Sequence, residues 1–124
     1  MENEQKTSKY RAFETRTTEF AKQVIRLCKK LPRDWINNPL VGQIIRSAGS
    51  IGANYREANE ALGKKDFIYR LRIARKEAKE TQHWLDLLGE ANTEFFETLA
   101  SLSKELQEIR NILSAIIAKT QDRE

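Results

Sequence analysis

Residues 38–63 read NPLVGQIIRSAGSIGANYREANEALG, and the spacing of their apolar side chains decides the fold. Val41, Ile44, Ala48, Ile51, Tyr55, Ala58 and Leu62 recur at intervals of three and four. This is the period of one face of an α-helix, whereas a half-buried strand would alternate every second residue. Asn38-Pro39 supplies a start signal, with Asn as N-cap and Pro at the first helical position. Gly63 fits a C-terminal cap.

Working outward, the same stripe returns three more times. Phe13, Phe20, Val24, Leu27 and Leu31 predict a helix from about Arg16 to Lys30, reaching back towards Phe13 and ended by Pro32. Phe67, Leu71, Ala74, Ala78, Thr81, Leu85 and Leu88 predict a third helix, from near Lys65 to Gly89, with Asp66 in its first turn. Leu99, Leu102, Leu106, Ile109, Leu113 and Ile116 predict a fourth, capped by Asn92 or Thr93. Short connections between long helices make sequential neighbours antiparallel. The expectation is an all-α, up-down-up-down four-helix bundle over residues 16–120, with a polar N-terminal arm at 1–15 and a frayed tail at 121–124.

Composition narrows the class further. The 124 residues hold only 5 Gly and 2 Pro, too few for the regular turns of a sandwich or barrel. One Cys excludes an internal disulfide, and one Cys with one His excludes a multi-Cys/His zinc site within the chain. No apolar run approaches the ~18 residues of a membrane span. A cytoplasmic protein without a membrane segment or cofactor is expected.

Catalytic groupings are sought without success. Glu80 and His83 make one Glu-x-x-His, but a di-iron bundle needs two, plus further inward carboxylates. Cys28 has no His in a recognisable pattern and reads as a small hydrophobe. Lys76, Glu77 and Ala78 stand where a helical nuclease of the Arg-x(4–6)-His type would carry its Arg. The chain is not expected to be an enzyme.

Charge is spread unevenly: residues 1–63 carry net +4, residues 64–79 net +5 and residues 80–124 net −5. Such a split can close on itself, within or between subunits, or leave a positive surface for a polyanion. Lys65, Arg72, Lys76 and Lys79 share the helix face opposite the Phe67–Leu85 stripe, with His83 and Tyr69 alongside. That row is the candidate contact for RNA or DNA. The plain alternative is a solvated face partly neutralised by Glu77 and Glu80.

The second helix also contains Gly49, Gly52 and Ala53. Interior helical glycines cost about 1 kcal/mol each relative to Ala, which points to close helix packing. With Trp84 and other apolar residues outside the stripes, these positions suggest helix packing or a homo-oligomer contact.

The run Ile45-Arg46-Ser47-Ala48-Gly49-Ser50-Ile51-Gly52-Ala53-Asn54-Tyr55-Arg56-Glu57-Ala58 resembles a signature of one bacterial family. So does Lys65-Asp66-Phe67-Ile68, followed by Ala74, Glu77-Ala78-Lys79-Glu80-Thr81, Trp84-Leu85 and Leu88. These are the four-helix-bundle proteins first found as products of intervening sequences within 23S ribosomal RNA genes. The likeness runs from about Phe20 to Ile117. It implies a ring-shaped homopentamer with a central channel. The family is also similar to the pentameric accessory protein of diversity-generating retroelements, which contacts a reverse transcriptase and nucleic acid. Two functions follow as expectations: a nucleic-acid-associated oligomer using the basic third helix, or a protein-binding scaffold whose Trp35-Ile36 loop docks a partner.

Overall fold

Each stripe folds as a helix, and the differences lie at the ends. A computed structural model describes the backbone of residues 2–122 and the side chains of residues 8–122. Among these, α1 spans Glu2–Lys30, α2 Asn37–Asn59, α3 Lys64–Ala91 and α4 Phe96–Gln121, with one 3-10 turn at Thr93–Phe95 and no strand. The helix α1 therefore begins at Glu2 rather than near Arg16, through the stretch expected to be a polar arm. Nothing in residues 2–15 breaks a helix, since neither Gly nor Pro occurs there. Of the tail expected to fray, residues 123 and 124 lie outside the described residues, and α4 continues to Gln121.

The start of α2 is set by Asp34, not by Asn38. Its Oδ1 accepts hydrogen bonds from the backbone N–H of Ile36 at 3.0 Å and of Asn37 at 2.7 Å, ahead of the first helical turn. At the other end α2 stops at Asn59, short of Gly63. Leu62 consequently leaves the stripe and is 96% exposed. Gly63 instead opens α3: its φ of +118° suits only glycine, and its carbonyl accepts from the N–H of Phe67 at 3.0 Å. At the foot of α4, Ile117 takes the buried position expected of Ile116, which is half-buried.

Of the two candidate caps of α4, Thr93 opens the 3-10 turn ahead of it, and the Asn92 side chain turns inward. Asn92 Nδ2 donates to Asn37 Oδ1 at 2.8 Å, and Asn37 Nδ2 donates to Asn92 Oδ1 at 3.0 Å. The spare donors reach the carbonyls of Leu88 and Pro32, each at 3.0 Å. Both amides are essentially inaccessible to water, so this reciprocal pairing meets the demand that buried polar groups find partners. It also brings the α1–α2 and α3–α4 connections to one end of the molecule.

Elsewhere the core is apolar and continuous. Phe20, Ile51, Tyr55, Leu71, Leu88, Leu106 and Ile109 are all fully buried. Tyr55 meets Phe13 edge-on at 4.6 Å, and burial pushes its hydroxyl pKa up to about 12. Between helices, polar contacts fix register. Thr81 Oγ1 donates to Ser47 Oγ at 2.9 Å between α3 and α2. Arg75 and Gln82 of α3 reach Ser114 and Ser103 of α4 at 3.3 and 3.1 Å. Glu14 of α1 takes Arg56 at 3.0 Å and Asn59 at 2.7 Å from α2.

Candidate functional site

The helix α3 places Lys65, Arg72, Lys76 and Lys79 on its outer face, and all four are exposed. Helical spacing puts them on one side because steps of seven, four and three residues each return to nearly the same angle. Tyr69 lies beside the row, 58% exposed, with the Arg70 guanidinium 5.9 Å over its ring. Where α3 begins, an open groove of about 610 Å³ is lined by Lys64, Lys65, Ile68, Tyr69, Arg72 and Gln121.

The acids expected to neutralise this row are engaged elsewhere. Glu77 and Glu80 lie towards α2, where Arg46 reaches both: Nη1 is 3.3 Å from Glu77, and Nη2 donates to Glu80. On α4, Glu105 and Glu108 lie towards α1. Arg16 donates to Glu105 through Nε at 2.8 Å and Nη2 at 2.7 Å, and to Glu108 at 2.8 Å. These bonds hold the Glu105 carboxyl below its ordinary pKa and raise that of Arg16. Among the described residues, no ion pair involves Lys65, Arg72, Lys76 or Lys79.

The other sequence candidates separate. Gly52 is a close-packing glycine: a Cβ there would lie 3.0 Å from Thr17 Oγ1 and 3.4 Å from Thr17 Cβ. Thr17, absent from the expected α1 stripe, fills the gap between Phe13 and Phe20 and is 1% exposed. Gly49 does not pack against another helix. It is exposed, and a Cβ there would meet nothing within 4 Å. Ala53 is exposed as well. Trp84 packs against the core, half-buried, and its buried indole N–H has no hydrogen-bond partner among the described residues.

Cys28 is half-buried and its thiol is pushed up to about 11 by burial, far from a reactive thiolate at neutral pH. Glu80 is bonded to Arg46, while exposed His83 meets Trp84 edge-on at 4.9 Å. Among the described residues no three His, Cys, Asp or Glu side chains gather to hold a metal ion. No helix among them is long and apolar enough to cross a membrane.

Sequence reasoning found the cationic row but missed Arg46, Arg16 and the two asparagines. Their side-chain partners lie 31 to 92 residues away, so no local spacing marks them.

Residues 12–115 match the family model of the 23S rRNA-intervening sequence protein. The chain belongs to that family. It is similar to a crystallised protein of unknown function from the S23 ribosomal protein family of Bacteroides thetaiotaomicron, at 38% identity and a TM-score of 0.81. That likeness covers 89% of this chain and 98% of the other. No curated protein matches.

Proposed function

We propose that this chain is a non-enzymatic, cytoplasmic, oligomeric protein that binds RNA or DNA through the outer face of α3. The observation that carries the reading is the set of four exposed cations that have no ion pair among the described residues, while Glu77 and Glu80 on the same helix are held by Arg46. Phosphates are the complementary partner for such a row, and binding should be nearly blind to sequence.

The subunit in this reading is an antiparallel up-down-up-down bundle. The contacts support it, because partner numbers fall along one helix as they rise along its neighbour: Asn37 with Asn92 and Ser47 with Thr81, then Arg75 with Ser114 and Gln82 with Ser103. Assembly into a ring, with five subunits favoured by the family resemblance, would repeat the cationic row and add avidity. Exposed Gly49 and Ala53, together with Ile45 at 39% exposure, are candidates for the contact between subunits.

A titration of labelled RNA and DNA at two salt concentrations tests the reading. Replacing Arg72, Lys76 and Lys79 together by Gln should leave the fold intact, since all three lie away from the core. Three lost phosphate contacts should flatten the logarithmic salt slope by about 2 to 3. Equal binding by the variant, or none by the parent at low salt, overturns it. The second reading, a scaffold that docks a protein such as a reverse transcriptase, is favoured by the 84% exposure of Trp35 and the 46% exposure of Ile36. It predicts that Trp35→Ala abolishes partner binding while nucleic-acid binding is absent throughout.

A further inference from the structure

We infer that the groove where α3 begins holds an unpaired nucleotide, its base stacked on Tyr69 and its flanking phosphates met by Lys65 and Arg72. The inference rests on the nucleic-acid reading and names the strand state that this site accepts. Lys65, Tyr69 and Arg72 are spaced four and three residues apart, so they follow one another along a single face in the order cation, aromatic, cation. At ~1.5 Å per residue the two cations are ~10.5 Å apart along the axis with the ring between them. A phosphate chain carrying one base between two charged groups has the same order.

The surroundings fit a base and exclude a paired one. Tyr69 is 58% exposed although Arg70 lies over the ring at 5.9 Å, so the aromatic surface is presented to solvent rather than packed away. Exposure of a large ring has no role in the fold: Phe67 and Ile68 on either side of the core edge pack inward instead. Ile68 gives the groove an apolar wall, and Gln121 from α4 brings a neutral amide with both a donor and an acceptor. At about 610 Å³ the groove is of ligand-pocket size.

A base inside a duplex has both faces covered by its neighbours, so an aromatic side chain can stack only on an unpaired one. Every base has a π-face, so the site should tolerate all four. The outer cations Lys76 and Lys79, by contrast, can follow the backbone of either a single strand or a duplex.

The test is fluorescence anisotropy of the full chain with a labelled oligonucleotide of about a dozen residues, single-stranded and as the matching duplex, at one low salt concentration. The single strand should bind more tightly. Tyr69→Ala should weaken the single strand about tenfold, within the range for one stacked base, and leave the duplex unchanged. Tyr69→Phe should restore parental binding, because the ring and not the hydroxyl does the stacking. Lys65→Gln with Arg72→Gln should weaken the single strand and lower its salt slope. Equal affinity for single strand and duplex, or Tyr69→Ala binding as the parent does, overturns the inference and leaves the nucleic-acid reading standing. Absence of binding to either form at low salt overturns both.

Discussion

The two flanks of α3 carry opposite charges, and only one of them is paired. On the flank towards α2, Glu77 and Glu80 close onto Arg46, and Thr81 bonds Ser47 beneath them. On the outer flank, Arg72, Lys76 and Lys79 are within one or two turns of those same glutamates and pair with nothing among the described residues. Within an isolated helix, the i, i+4 spacing of Lys76 and Glu80 would suggest mutual neutralisation. The tertiary fold draws the acid to one side. A cationic face is thus made by where acids are held as much as by where bases are placed.

Gly52 permits the close approach of α1 to α2, the helix that carries Arg46. Gly52→Leu should break it and give the largest loss of stability. Its Cβ would already sit 3.0 Å from Thr17 Oγ1, and the rest of the side chain has no space. Overpacking of this kind costs ~1–3 kcal/mol or more, a fall in Tm of at least 4 °C or so for a chain of this size. Gly49→Leu should not lower the Tm and should raise it slightly, because open space surrounds that position and an interior helical glycine costs up to about 1 kcal/mol. Thermal melts by circular dichroism check both. Light scattering of the parent and the Gly49 variant then tests the proposed assembly: a mass lower in the variant than in the parent places Gly49 at a contact between copies, and equal masses remove it from that role.

Much of this frame is legible in the sequence because burial follows periodicity. Phe20, Val24 and Leu27, Ile44, Ile51 and Tyr55, and Leu71, Leu85 and Leu88 all lie where their spacing puts them. What is not legible depends on pairings at long range. Asn92 looks like a helix cap, and only the approach of Asn37 makes it half of a buried amide pair. Leu62 continues a perfect 3-4 stripe, yet the helix has ended before it at Asn59 and the residue faces water. Gly63 is legible as a turn glycine but not as to which helix it serves. Of the candidate site, the row of cations is readable from spacing, whereas its freedom from neutralisation is not. That depends on Arg46, whose role appears only once α2 lies beside α3.

Arg46→Ala sharpens the comparison, with an intermediate effect. It would release Glu80, 40% exposed, and leave Glu77, 16% exposed, without its cation. The stability change should be about 1 kcal/mol, since the guanidinium is itself half-exposed and exposed pairs contribute little. The larger consequence is electrostatic. Freed carboxylates one turn from Lys76 and next to Lys79 would lower the positive potential of the outer flank, so nucleic-acid affinity should fall although no contacting residue has changed. A salt titration checks it: the deficit relative to the parent should shrink as ionic strength rises. Affinity equal to the parent's at low salt would mean that withholding these acids does not shape the face.

Glu105→Gln tests the second place where acid is held, and its effect should be the smallest and the most dependent on pH. The Arg16 guanidinium meets Glu105 with two parallel hydrogen bonds and holds its carboxyl below the ordinary glutamate value of 4.5, against an opposing push from partial burial. A carboxyl whose pKa is lower folded than unfolded binds fewer protons in the native state. The stability it contributes is therefore present above the unfolded value and is lost as pH falls through the folded one. Because Arg16 is 36% and Glu105 27% exposed, solvent screening limits the contribution to about 0.5–1 kcal/mol. Gln keeps an oxygen acceptor and the shape but not the charge. Urea melts at pH 7, 5 and 3 should show the variant less stable at neutral pH, with the gap to the parent narrowing below about pH 4.5. Glu108 retains its own bond to Arg16, so the variant should stay folded across the series. A gap that is constant with pH, or that widens in acid, would show that the ion pair does not hold α1 to α4 through its charge.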